Sequence, residues 1–257
     1  MNTTALTCTG IEVDFDGFKA VNGVDLELDR GEVHFLIGPN GAGKTTLVDA
    51  ITGLARYSGS VVKDGTELRG KKVHHIARKG IGRTFQTATV FENLTVAQNL
   101  DIAAGSGRSP WALLRRRRHL PDTVVTVMEQ IGLKDQAETP AGILAHGQKQ
   151  WLEIGMLLVG DADVLLLDEP IAGMGAEERE TTGRLLHDIA HDRAVAVVEH
   201  DMDFMRAFAS RVTVLHAGAV LASGSVDEVS NHPRVQEVYL GTTHQEQEQE
   251  RADAATA

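Results

Sequence analysis

Gly38-Pro39-Asn40-Gly41-Ala42-Gly43-Lys44-Thr45 matches the pattern G-x-x-x-x-G-K-[ST], a phosphate-binding loop, and it marks the chain as a nucleoside-triphosphate binder. The glycines let the backbone bend so that successive N–H groups converge on phosphate oxygens. Lys44 supplies a flexible point charge for the β- and γ-phosphates, and the Thr45 hydroxyl, followed by Thr46, suits Mg²⁺. The flanks agree. Val33-His-Phe-Leu-Ile37 reads as a strand entering the loop, and Thr45-Thr-Leu-Val-Asp-Ala-Ile51 as a helix leaving it, with its positive end toward the anion.

Such a site needs a carboxylate for Mg²⁺ and a base for water. Val164-Leu-Leu-Leu-Asp168-Glu169-Pro170 offers both, 124 positions downstream of Lys44, as an apolar strand ending in two acids. Asp168 can reach the Mg²⁺ shell while Glu169 takes the proton of the attacking water.

Three further stretches carry a family resemblance. Ala141-Gly-Ile-Leu144-Ala145-His146-Gly147-Gln148-Lys-Gln150 resembles the LSGGQ signature of ATP-binding-cassette (ABC) ATPases. Gln86, in Arg83-Thr-Phe-Gln86, and His200, in Val197-Val-Glu-His200-Asp201, sit where that family keeps its Q-loop glutamine and switch histidine. The five elements run in the family's order from about residue 6 to 241. The resemblance implies a P-loop NTPase core of α/β class, with a mainly parallel sheet, an antiparallel β-subdomain and a helical subdomain at about 87–160. It implies one nucleotide-binding domain over 1–241, with 242–257 as an acidic tail.

By the same resemblance two ATPase subunits sandwich two ATP molecules. Each ATP lies between one chain's loop and the signature of the other, here Leu144, Ala145, His146, Gly147 and Gln148. Gln86 touches Mg²⁺ and hinges the helical lobe; His200 bonds the γ-phosphate. Phe15 falls at the ring that stacks on adenine, with core packing as the alternative. The chain departs from the family pattern at Ala145, where the signature serine's hydroxyl is missing, at His146 in place of Gly, and at Gly175 in place of the D-loop Asp.

Within the superfamily the chain looks like the ATPases of branched-chain amino acid and urea importers. The stretches Phe85–Val96, His146–Met156 and Val212–His216 resemble the larger ATPase subunit of urea importers more closely. Urea or a short amide is therefore the expected solute, with branched-chain amino acids as the alternative. A soluble, non-transport ABC ATPase or an ATP-gated binding module stands further off. The implied partners are a second, different ATPase subunit, two transmembrane permease subunits and an extracytoplasmic solute-binding protein. The implied place is the cytoplasmic face of the cell membrane.

Composition sets bounds on the rest. A net charge of −11 over 257 residues argues against nucleic acid as a partner. The single Cys8 excludes an intrachain disulfide and reads as a small buried hydrophobe. No basic n-region with an apolar core opens the chain, and no run nears the roughly 20 apolar residues of a spanning helix. Alternating apolar residues over 6–30 and at Val61–Gly65 predict an antiparallel β-layer. Arg115–Arg118 is a dense basic run, either a solvated helix face or a contact for lipid head groups or the acidic tail. His74-His75 lacks further ligands at metal spacing.

Overall fold

The computed structural model describes residues 4–105 and 120–238. The Arg115–Arg118 run, the boundary at 241 and the tail lie outside the described residues. Two sheets form the frame. The six-stranded sheet has the order β10-β9-β3-β8-β7-β6, made of β3 (Val33–Ile37), β6 (Ile81–Arg83), β7 (Val164–Asp168), β8 (Ala194–Val198), β9 (Arg211–His216) and β10 (Ala219–Gly224). All neighbours are parallel except β10, which pairs antiparallel with β9. The smaller sheet, β2-β1-β4-β5, is antiparallel and joins β1 (Thr4–Phe15), β2 (Phe18–Asp29), β4 (Ser58–Lys63) and the short β5 (Thr66–Glu67).

The central strands are buried on both faces, which is why they read as continuous apolar runs. Their side chains alternate between two cores, as the period of two requires. Phe35, Ile37, Leu165, Leu167, Val195 and Val197 enter one core, shared with the helical lobe. Leu36, Val164, Leu166, Ala194, Ala196 and Val198 enter the other, shared with the antiparallel sheet and α1 (Lys44–Thr52). Cys8 lies in the second core at 1 % exposure, and burial pushes its thiol up to about 12, so it is an inert hydrophobe at neutral pH.

The short α2 (Val73–Ala77) joins β5 to β6 and leaves His74 and His75 exposed. Among the described residues no cluster of three or more His, Cys, Asp or Glu could hold a metal ion. Among the described residues the helical lobe comprises α3 (Val96–Ala104), α4 (Asp122–Gln130) and α5 (His146–Val159). Val124, Val127 and Met128 form the buried stripe of α4. Three helices complete the layers: α6 (Ala176–Ala190) precedes β8, α7 (Met202–Phe208) precedes β9, and α8 (Val226–Ser230) follows β10. Among the described residues no helix is long and apolar enough to cross a membrane.

Parallel strands gather their carboxyl ends on one edge, and in such sheets ligands bind there. Here β3 ends at the 38–45 loop, β7 at Asp168, β8 at Glu199-His200 and β6 at the segment that leads to Gln86. The fold thus collects residues 38–45, 86, 168–169 and 200 along one rim.

Candidate active site

The loop between β3 and α1 is shaped by two close approaches. At Gly38 (φ 150°) a Cβ would come within 2.2 Å of the Leu215 carbonyl oxygen, and at Gly43 (φ 102°) within 2.4 Å of that of Ala20. Only glycine fits either place, so the loop is pressed against β9 and the start of β2. Lys44 is 9 % exposed, and its Nζ donates to the Gly38 carbonyl at 2.6 Å and the Pro39 carbonyl at 3.1 Å. Burial lowers the pKa of Lys44, against the pull of Glu169, Asp168 and Glu199.

An open cleft of about 320 Å³ lies over this loop. It is lined by Asn40, Gly41, Ala42, Gly43, Lys44, Thr45 and Thr46, with Gln86 and Glu169 across from them and Phe15, Phe18 and Ala20 at the side. Phe15 and Phe18 are 56 % and 68 % exposed, so Phe15 does not belong to the core. The two rings flank the Asp16-Gly17 turn, whose residues both have positive φ, and pair across the hairpin on one face.

Asp168, 2 % exposed, ends β7 just behind the cleft. Arg83 donates to its Oδ2 at 3.2 Å, and the same guanidinium binds Asp49 of α1 and covers the Phe85 ring at 5.0 Å. Burial raises the pKa of Asp168 and Arg83 opposes the rise. Its Oδ1 is buried with no partner. Asp168 Oδ1 is an orphaned carboxylate oxygen one residue before cleft-lining Glu169, and Thr45 and Gln86 line the same cleft; oxygen donors of these kinds are what Mg²⁺ prefers, so these residues fit the ion.

Glu169 follows in the left-handed region (φ 49°), its N–H donating to the Val198 carbonyl at 2.9 Å. A non-glycine residue held there costs about 1 kcal/mol or more and marks a place where the surroundings over-determine the backbone. That conformation turns the side chain into the cleft. His200 Nδ1 stands 3.6 Å from Glu169 Oε1 and 3.8 Å from Glu199 Oε2, with the ring largely exposed. Burial raises the pKa of Glu199, and its Oε1 has no partner.

The structure keeps one group of expected residues apart from the rest. Leu144, Ala145, His146, Gly147 and Gln148 do not line the cleft. They open α5, with Ala145 and His146 exposed. Ala145 has no side-chain oxygen to cap the helix, and Gln148 reaches back to accept from its N–H at 3.1 Å. A Cβ on Gly147 would meet Glu178 Oε1 at 2.8 Å, and one on Gly173 would lie 3.5 Å from the His146 ring. The first turn thus packs against the 171–178 segment, and its unpaired amide groups are available to an anion from outside the chain.

Phe18, Arg83, Glu153 and Glu199 were not singled out in the sequence reading. Arg83 and Glu199 left a trace, a charge at the end of an otherwise apolar strand. Phe18 left less, an aromatic immediately after the two-residue turn that follows Phe15.

Comparison with known proteins agrees with this geometry. A family model described as ABC transporter matches residues 21–172. The chain belongs to the ABC transporter family. As a member it is an ATPase, coupling hydrolysis to transport in an importer. A second model, of the branched-chain amino acid ATP-binding cassette transporter, matches residues 219–245. The high-affinity branched-chain amino acid transport ATP-binding protein BraF of Pseudomonas aeruginosa is 35 % identical over 254 residues, covering 94 % of this chain and 99 % of its own length. LivG of Escherichia coli, with the same description, is 34 % identical over the same span. Among solved structures, the ADP conformation of MJ1267, an ATP-binding cassette of an ABC transporter, superposes with a TM-score of 0.80 at 29 % identity. It covers 93 % of this chain and 99 % of that one.

Proposed function

We propose that the chain is the ATP-hydrolysing subunit of an importer of branched-chain amino acids. The reading is carried by likeness over 94 % of the chain to a relative with that description, together with a branched-chain amino acid family model that matches residues 219–245. Short stretches had pointed instead to urea or a short amide. Likeness over 254 residues outweighs them, because relatives alike along that span share the partner-facing surface as well as the nucleotide cleft.

In this reading Asn40 to Thr46 wrap the phosphates, Lys44 leaves the Gly38 and Pro39 carbonyls for the β- and γ-phosphates, and Phe15 stacks on the adenine. Thr45, Asp168 Oδ1 and Gln86 would hold Mg²⁺, which would offset charge on the phosphates. Glu169 accepts the proton of the attacking water, and His200, poised beside it, hydrogen-bonds the γ-phosphate. The first turn of α5 meets the ATP of a second ATPase subunit, consistent with its distance from the chain's own cleft. Two permeases and an extracytoplasmic solute-binding protein complete the assembly, with this chain on the inner face of the membrane.

Reconstitution with its permeases and binding protein in liposomes, with ATP inside, tests the solute. Uptake of leucine, isoleucine or valine that vanishes in Glu169→Gln is the expected result. Uptake of urea with none of the three would overturn the assignment.

A further inference from the structure

Gln150 and Glu153 project from one face of α5, three positions apart, two and five positions after Gln148 of the signature. Both reach the segment that contains Gln86. Gln150, 1 % exposed, directs its Nε2 at the Gln86 carbonyl oxygen, 3.5 Å away. Glu153, 5 % exposed, accepts the Thr89 N–H through Oε1 at 3.2 Å. Its Oε2 is buried without a partner. Burial pushes the carboxyl up to about 7, opposed by the Thr89 and Phe85 amides.

A buried carboxyl with one oxygen unsatisfied costs stability, and a leucine of similar volume would cost less. Thr89 is exposed, so water could satisfy its N–H equally well. Folding therefore does not explain the acid. Its one clear consequence is mechanical: it ties the loop beyond β6, on the rim of the chain's own cleft, to the helix whose first turn faces outward.

We propose that Glu153 is a positioning residue that fastens the 85–89 segment to α5, so that ATP in a chain's own cleft sets the placement of the signature it offers to the second subunit's ATP. This deepens the nucleotide-site reading and rests on it. Each cleft would then report to the other through one carboxyl, with no side chain of Glu153 touching either nucleotide.

The test is amide hydrogen exchange of the full chain in the Glu169→Gln background, with and without Mg-ATP, at concentrations where light scattering finds single chains. ATP should slow exchange at 38–46 and at 145–152. Adding Glu153→Leu should leave 38–46 protected and cut the response at 145–152 by about fivefold or more, the low end of ordinary coupling between sites. Glu153→Gln keeps an acceptor for Thr89 and should keep the response. Glu153→Leu should also melt no lower than its parent. An unaltered response at 145–152 in Glu153→Leu, no response there in the parent, loss of it in Glu153→Gln, or a lower melting point in Glu153→Leu would each overturn the proposal. Absence of protection at 38–46 in the parent would instead overturn the nucleotide site itself.

Discussion

Replacing Phe15 by Ala tests the proposed adenine contact separately from the fold. The ring is 56 % exposed and absent from both hydrophobic cores, so its truncation removes little buried surface. Stability should change by no more than about 1 kcal/mol. Stacking of a base on an aromatic ring is worth about 1–3 kcal/mol by alanine substitution. At 1.4 kcal/mol per tenfold, that range corresponds to ADP binding weakened by about 5- to 150-fold. Phe18, 68 % exposed on the same face of the hairpin, is the internal comparison. Its truncation should weaken ADP less than that of Phe15, and Phe15→Tyr should leave affinity unchanged, because only the ring face is used. Calorimetric titration with ADP and a thermal melt of each variant give both numbers. If Phe15→Ala binds ADP within a factor of two of the parent, the ring does not stack on the base. If Phe18→Ala carries the larger loss, the contact belongs to the other side of the turn.

Glu169→Gln should bind ATP as before and lose about 10²- to 10⁴-fold in turnover, the usual cost of a missing general base; retention of a third of the parent rate excludes that role. Ala145→Ser restores a neutral hydrogen bond worth about 0.5–1.5 kcal/mol, so ATPase of the assembled transporter should rise by roughly 2- to 13-fold at most, and an unchanged rate means backbone donors already suffice. Acid sensitivity should show two opposed slopes. Burial lowers His34 to about 4 from the usual 6.5, so the unfolded chain binds the extra proton and stability falls with acid between those values. Glu153, raised to about 7 from 4.5, is protonated in the fold first and favours it as pH drops from 7 to 4.5. Each is worth about 3 kcal/mol at most. Denaturant unfolding across pH 4–7 should therefore show His34→Asn losing less stability in acid than the parent, and Glu153→Gln losing more; identical profiles for all three would refute the assignment.

Much of this was legible in the chain. A phosphate loop is a local device, so Gly38–Thr45, its strand and its helix are contiguous, and an apolar strand ending in Asp168-Glu169 announces itself for the same reason. The alternation in β1 and β2 gave the antiparallel layer directly. What stayed hidden depends on distant partners. Arg83 meets Asp49 and Asp168 from 34 and 85 positions away, and Glu153 meets Thr89 across 64. The left-handed backbone at Glu169 leaves no mark in a sequence that puts glutamate there. The short stretches that resemble urea importers say little of the solute, and likeness over the longer span favours the branched-chain amino acid alternative.

The hold of Gly38 and Pro39 on Lys44 bears on how the cycle resets. The ammonium has two carbonyl acceptors in its own loop, so in the proposed reading a phosphate that takes Lys44 exchanges one set of bonds for another. The net gain per bond is then the modest difference between the two sets, far below the gross strength of a charge-assisted contact. The same reading predicts that nucleotide departure leaves no bare charge at 9 % exposure, since the loop can retake its own lysine. A lysine with acceptors of its own can let go of a phosphate as readily as it takes hold.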